Sequence, residues 1–430
     1  MSEWGKVRLG DVVDFLTGYP FKSDQYTDDE SGIRLLRGDN IVQGSLRWDN
    51  VRRWPVSQIE NHKIYFLQPG DVVLAMDRPW IEAGLKYSHL HDADCPALLV
   101  QRVTRLRGTS KIDGRFLRYV IGSADFTGYV LAVQTGTAVP HISGGQIKSY
   151  EFALPDFATQ QEIGSVLAAL DDKIELNRRM NATLEAQARA LFRDWFVDFG
   201  PTRAKQEGAP AYLAPDLWNL FPATLDTEGK PEGWDERPLD TIAEFLNGLA
   251  LQKFPAEPGM PSLPVIKIAE LRSGVTANSN RASLDVPQKY MIEDGDFLFS
   301  WSGSLLAKFW TEGRGALNQH LFKVSSADFP AWFFSQWVWH HLEEFQSIAA
   351  SKATTMGHIQ RGHLSAAMTI CPPKGTLAAL GQVMQPLQDR VLSNLLESRT
   401  LVQTRDLLLP KLMSGEIRVR EAERAIAAAF

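Results

Sequence analysis

A chain of 430 residues, 44% hydrophobic and 22% charged, has the composition of a globular protein with room for more than one core. A net charge of −6 excludes a uniformly basic surface but leaves room for a local basic groove. No run of about 18 apolar residues is present to span a membrane, and Met1-Ser2-Glu3-Trp4-Gly5-Lys6 opens no signal peptide. The two cysteines, Cys95 and Cys371, make neither a disulfide framework nor a zinc site, so a reducing cytoplasm is the expected location.

The chain is written twice. Trp4-Gly5-Lys6-Val7-Arg8-Leu9 returns 230 positions later as Trp234-Asp235-Glu236-Arg237-Pro238-Leu239. Phe15-Leu16-Thr17-Gly18 and Phe245-Leu246-Asn247-Gly248 continue in step. Thr137, His141, Ile142 and Gly145 return 217 positions on as Thr354, His358, Ile359 and Gly362. Two similar heads follow, and with them a bipartite or two-fold ligand.

In chain order, residues 1–155 read as a mixed α and β head. The run Val12 to Leu16 ends at Thr17-Gly18, and strands are expected at Ile33–Leu36 and Asp71–Met76. Residues 156–200 read as helix. Thr159-Gln160-Gln161-Glu162 fits a capping box. Steps of four and three then run through Ile163, Leu167, Leu170, Ile174, Asn177, Asn181, Leu184, Ala188 and Leu191, a heptad seam with a polar layer at its middle. Gly200-Pro201 is the expected stop. Residues 201–232 are Pro-rich and non-periodic, and read as a surface linker.

Residues 233–372 repeat the head, with Val265–Ile268 and Gly295–Ser300 in the places of the first head's strands. Residues 373–420 repeat the helix, and 421–430 form a tail. Leu380, Met384, Leu387, Val391, Asn394, Ser398, Leu401, Arg405 and Leu408 hold the matching seam positions, and Thr376 the cap. Pro386 stands where the first helix has Ala169 and is expected to kink or divide the second. Matched seams and matched polar layers predict that the helices pack on each other. The chain path makes the pairing antiparallel, over on the order of 50 Å for about 35 residues each. The predicted class is α+β: two mixed α/β domains separated by two long antiparallel helices forming a coiled coil, with an internal pseudo-two-fold repeat.

Catalytic signatures are missing. The sequence holds no Gly-x-x-x-x-Gly-Lys-Ser/Thr and no Gly-x-Gly-x-x-Gly after a strand. Pro155-Asp156 lacks a following Glu-x-Lys and reads as an approach to a helix. Neither His358 with His363 nor His340-His341 has convergent carboxylates or cysteines nearby, so no metal site is expected. These absences point to a recognition protein rather than a self-sufficient enzyme.

Several local marks carry a resemblance. They are Trp4-(x)4-Leu9-Gly10-Asp11, Leu170-Asp171-Asp172-Lys173-Ile174-Glu175-Leu176-Asn177, Leu191-Phe192-Arg193-Asp194-Trp195-Phe196-Val197-Asp198-Phe199, Leu220-Phe221-Pro222, Pro231-Glu232-Gly233-Trp234, and Leu408-Leu409-Pro410-Lys411-Leu412-Met413-Ser414-Gly415-Glu416-Ile417. In that order over nearly the whole chain, they resemble the specificity subunit of type I restriction–modification systems. Pro386 and the shorter second head depart from the pattern. The resemblance implies two target-recognition domains, each reading one half of an asymmetric, interrupted DNA target, with the helical spacer setting the gap. It implies two methyltransferase subunits as partners, bringing S-adenosylmethionine and adenine N6 methylation. Motor-nuclease subunits would add ATP, magnesium and cleavage. This chain would be non-catalytic and bind none of these cofactors.

On that resemblance, base-edge chemistry nominates polar side chains near strand ends. In the first head these are Arg37, Asn40, Asp77, Arg78, Trp80, Lys86, Thr137, His141 and Gln146, with Arg52, Arg53 and Lys63 for phosphates. In the second they are Lys267, Trp301, Ser302, Ser304, Lys308, Thr354, His358, Gln360, Arg361 and His363. His141 and His358 have a competing role, a hydrogen bond that holds a loop. Two rival readings remain: a two-headed coiled-coil scaffold that binds proteins and not DNA, and a recognition subunit detached from another restriction–methylation type.

Overall fold

The structure is a computed structural model that describes residues 4–136, 138–351 and 357–429. It divides into two units, Met1–Lys173 with Thr400–Phe430, and Ile174–Arg399. Each unit holds one head and a segment of both long helices. The class is α+β, as the sequence predicts. Among the described residues no helix is long and apolar enough to cross a membrane.

In the first unit, an antiparallel sheet runs in the order Asp14–Thr17, Val103–Arg107, Val72–Ala75, Tyr87–His89. Ile33–Leu36 lies between Arg53–Trp54 and Ala97–Leu99 in a second sheet. Gly5–Arg8 pairs with Glu151–Leu154. The strand Val72–Ala75 is buried throughout, because each of its faces meets a different core. Val72 and Leu74 join the cluster around Phe116, while Val73 and Ala75 join the cluster around Leu36 and Leu99. A strand covered on both sides has no solvent face, which is why it reads as an unbroken apolar run.

The second unit repeats the plan. Glu244–Asn247, Leu321–Ser325, Phe297–Ser300 and Ala307–Phe309 form the antiparallel sheet, and Asp235–Pro238 pairs with Met368–Cys371. Phe297 and Phe299 face one cluster and Leu298 another. The helices differ. Gly114–Ile121 and Ala124–Val133 are separated by Gly122 and capped by Ser123, whereas Ala331–Ser351 is continuous. The glycines that close the repeated Phe-Leu-x-Gly motif have one cause in both copies. A Cβ on Gly18 would overlap the carbonyl of Val100, and one on Gly248 the carbonyl of Asn318.

The long helices are Phe157–Phe192 and Lys374–Ser414. In the second unit they pair antiparallel through amides. Asn177 Nδ2 donates to Glu397 Oε2 at 2.7 Å, Asn394 Nδ2 to Asn181 Oδ1 at 2.8 Å, and Asn181 Nδ2 to the Val391 carbonyl at 3.2 Å. Asn177 and Asn394 are fully buried. In the first unit the same helices meet through Asp171. It accepts from Arg405 at 2.7 Å, and from Arg118 and the Tyr119 hydroxyl at 2.6 Å. Burial, reinforced by the Arg118 charge, holds nearby His89 down to about 3, so it stays neutral beside that guanidinium. Of the seam, Ile163, Leu167, Leu170, Leu380, Met384, Leu401 and Leu408 are buried, and Ile174, Leu184, Leu191, Leu387 and Val391 are half-buried. The seam serves two surfaces: Ile163, Leu167 and Leu408 join the first head's core, and Leu380 and Met384 the second's.

Four local expectations are corrected. The first helix starts before Thr159, at Phe157, because Asp156 accepts from the Thr159 N–H at 3.0 Å and caps it; Thr376 likewise lies inside a helix that begins at Lys374. Pro386 does not divide the second helix, which runs unbroken to Ser414; Pro386 and Gln382 are exposed, so the carbonyl freed by the missing N–H can face water. Gly200-Pro201 opens a further helix, Gly200–Gln206, after Phe199 has turned left-handed at φ 54°. Residues 201–232 are not simply a surface linker: Phe221 is buried against Trp195 and Trp234.

Asp171→Asn leaves two guanidinium groups facing a neutral amide. A loss of about 3 kcal/mol is expected in denaturant unfolding, and an unchanged midpoint would show that the network adds nothing.

Candidate nucleic-acid interface

The first head carries a cleft of about 820 Å³ whose walls include Arg37, Arg52, Arg78, Lys86 and Arg102 against Asp28, Asp39 and Asp77. Its residues come from loop ends. Arg37 follows the strand Ile33–Leu36, Arg78 follows Val72–Ala75, and Lys86 stands between Gly84–Leu85 and Tyr87–His89. Burial pulls the Lys86 ammonium down from its ordinary value, with Asp39 opposing. Five basic groups against three acidic ones give the cleft the positive balance that the whole chain lacks.

Two of these arginines hold backbone conformations that side chains rarely adopt. Arg78 has φ 45° and Arg102 φ 66°. Left-handed geometry costs a non-glycine residue about 1–2 kcal/mol, and such outliers gather at functional sites. The equivalent of Arg78 in the second head is Gly303, at φ 65°. A shared clasp holds both turns: the Arg78 N–H donates to Pro140 and that of Ile142 to Met76, while Gly303 donates to Gly357 and Ile359 to Trp301.

Asp77 is central to this arrangement as a positioning residue. Its Oδ1 lies 2.6 Å from His141 Nδ1 and accepts from Arg102 at 3.1 Å. His141 therefore holds a loop, and Asp77 fixes the Arg102 side chain. Trp80 stands outside, 37% exposed on the hairpin Trp80–Ile81 with Gly84–Leu85.

Other nominated residues are not brought to the cleft. Asn40 is spent on the backbone, accepting from the Arg37 N–H and donating to the Arg47 carbonyl, both at 3.0 Å. Gln146 caps Ser143 and donates to the Val133 carbonyl. Arg53 donates to the Gly32 carbonyl at 2.9 Å. Lys63 is exposed and paired with Glu60. Thr137 and Thr354 lie outside the described residues.

The second head gathers a different set. Trp301 Nε1 donates to Asn247 Oδ1 at 2.9 Å, and its ring lies 5.7 Å from that of His320 and 6.4 Å from that of His358. Buried Ser302 lies 3.0 Å from His320 Nδ1 and bridges to His358. Arg361 donates to the Phe245 carbonyl and lies over Phe322. Lys267 is bonded to Asn280, and Ser304 is exposed. Gln360 and His363 cap one helix together, His363 Nδ1 taking the Gln360 N–H at 2.9 Å. Lys308 faces elsewhere, among residues of the long helices.

Arg102 and His320 were missed by residue-type reasoning. Their signal is Gln101-Arg102 against Gln319-His320, a pair offset by one position from the 217 spacing. Among the described residues, no group of three or more His, Cys, Asp or Glu could hold a metal ion.

Residues 1–186 match the family model described as the type I restriction modification DNA specificity domain. The chain is similar to the type I restriction enzyme EcoAI specificity subunit of Escherichia coli, 34% identical over 175 residues, 40% of this chain and 28% of that one. It is similar to the MjaVIII specificity subunit of Methanocaldococcus jannaschii, 32% identical over 191 residues, 44% of each. The alignments thus span less than half of these relatives' length. A crystal structure of the type I restriction–modification S subunit of M. genitalium shares the fold, at TM-score 0.55 and 14% identity over 96% of both chains.

Replacing Arg78 by glycine removes the left-handed penalty and adds a smaller entropic cost. Arg78→Gly is expected to keep its urea midpoint or gain about 1 kcal/mol. A clear loss would show that packing of the arginine outweighs its strain.

Proposed function

We infer that the chain belongs to the family of type I restriction–modification specificity subunits and is the non-catalytic DNA-reading subunit of such a complex. Each head reads one half of an asymmetric, interrupted target. The paired helices set the unread gap. Two methyltransferase subunits dock on the chain and bring S-adenosylmethionine for adenine N6 methylation, and motor subunits bring ATP and magnesium for restriction.

One observation carries this reading: a single loop clasp, repeated at Arg78 and Gly303, presents different chemistry in the two heads. In the first, Arg37, Arg52, Arg78, Lys86 and Arg102 line a basic cleft suited to phosphates and to guanine edges. In the second, Trp301, Ser302, His320, His358 and Arg361 form an aromatic and imidazole surface. Shared backbone with unshared side chains suits two unlike half-sites, and so a directional target rather than a palindrome. Asp77 and His141 position the basic cleft, and Trp80, Lys267 and Ser304 flank the two surfaces.

Co-expression with the methyltransferase subunit of the same system, followed by genome-wide mapping of N6-methyladenine, tests this. A bipartite motif with a gap of fixed length is expected. Methylation at a continuous motif would contradict it, and none from a well-assembled complex would favour the protein scaffold.

A further inference from the structure

The repeat fills one place in two different ways. In the first unit, Asp171 lies with Arg118, Tyr119 and Arg405, and that network occupies the space between the head and the long helices. The 217 register puts Gln388 in the place of Asp171, Ser335 in that of Arg118, Gln336 in that of Tyr119, and Ala188 in that of Arg405. Two long cations and their carboxylate give way to short or neutral side chains.

What results in the second unit is a cavity of about 330 Å³. Leu184, Trp332, Trp339, Met384 and Leu387 give it apolar walls. Lys308, Gln336 and Gln388 also line it, and among the described residues none of their side chains makes a hydrogen bond or ion pair. Gln336 is 7% exposed. Burial lowers the proton affinity of Lys308, opposed by the charge of Glu312. The polar ends of these side chains open onto the cavity without a partner from the protein, so a ligand's polar groups can replace water there. Leu395, 36% exposed, also borders the cavity, so its apolar wall reaches the protein surface, where a partner protein can meet it.

We propose that this cavity is a docking pocket for a partner protein that inserts a large apolar side chain beside a carboxylate. The carboxylate pairs with Lys308, and Gln336 and Gln388 complete its hydrogen bonds. The inference rests on the reading of this chain as a subunit that docks partners, and it makes the two docking faces unequal. The equivalent place in the first unit is already filled by its own charges, so two identical partner copies would meet different anchors.

The test uses Lys308→Met, which keeps the apolar stem, and Ala188→Phe, which fills the cavity. Native mass spectrometry with the methyltransferase subunit of the same system should show two bound copies for the wild-type chain. Each variant should keep one copy and lose affinity for the other at least tenfold. Retention of both copies, or equal weakening of both, overturns the proposal. A wild-type chain that binds no copy sinks the functional reading instead, and the pocket is then judged on a free probe. In calorimetry, 3-phenylpropanoate should bind the wild-type chain at least tenfold more tightly than 3-phenylpropanamide, and this preference should vanish in Lys308→Met. No binding of the acid, or equal binding of acid and amide, overturns the pocket chemistry.

Discussion

Asn177 and Asn394 hold the same place in the two copies of the repeat, and in the structure each donates to a group on the other long helix. Amides buried in a helix pair weaken it relative to leucine, but they accept few alternative registers. A one-turn slip would strand Asn177, Asn181 and Asn394 away from their partners, at a cost of about 1–3 kcal/mol for each unsatisfied group. The layer therefore fixes which residues of the second helix face which residues of the first. The place of the 330 Å³ cavity and of Lys308 beside the helices follows from that alignment.

Within each head a second constraint operates, at the level of backbone. Gly18 and Gly248 let a strand end press against a carbonyl of the neighbouring strand's loop. The residues just beyond that carbonyl, Gln101-Arg102 and Gln319-His320, are thereby placed beside the left-handed turns at Arg78 and Gly303. Backbone geometry is conserved between the copies, while the side chains it presents are free to differ. That separation lets one fold present two different surfaces without redesign of its core.

Much of this was legible because it rests on periodicity and repetition. The seam, the strands at Ile33 and Val72 and their second copies all have a face or a core to bury, and burial writes a pattern. The cap at Asp156 was misplaced by three residues because Thr159 and Glu162 imitate a capping box that a preceding aspartate pre-empts. The unbroken helix through Pro386 was not legible, since only exposure decides whether a freed carbonyl is tolerated. At the candidate sites, residue type named three of the cleft's four arginines, Arg37, Arg52 and Arg78, but could not separate Arg78 from Asn40. Both are polar and both lie near strand ends, yet only the fold shows that Asn40 is bound to Arg37 and Arg47. The Asp77–His141 clasp was half legible, through the recurrence of His141 as His358. The cavity beside Lys308 was not legible at all, because it is made by the loss of side chains that only the register and the packing together reveal.

The central claim is that the two heads read two different halves of one DNA target independently. Exchange of residues 230–372 for the corresponding segment of another family member, in complex with the methyltransferase subunit, tests it most directly by mapping N6-methyladenine. One half of the methylated motif should change while the other half and the gap stay the same. A change in both halves, or in neither, would contradict the account.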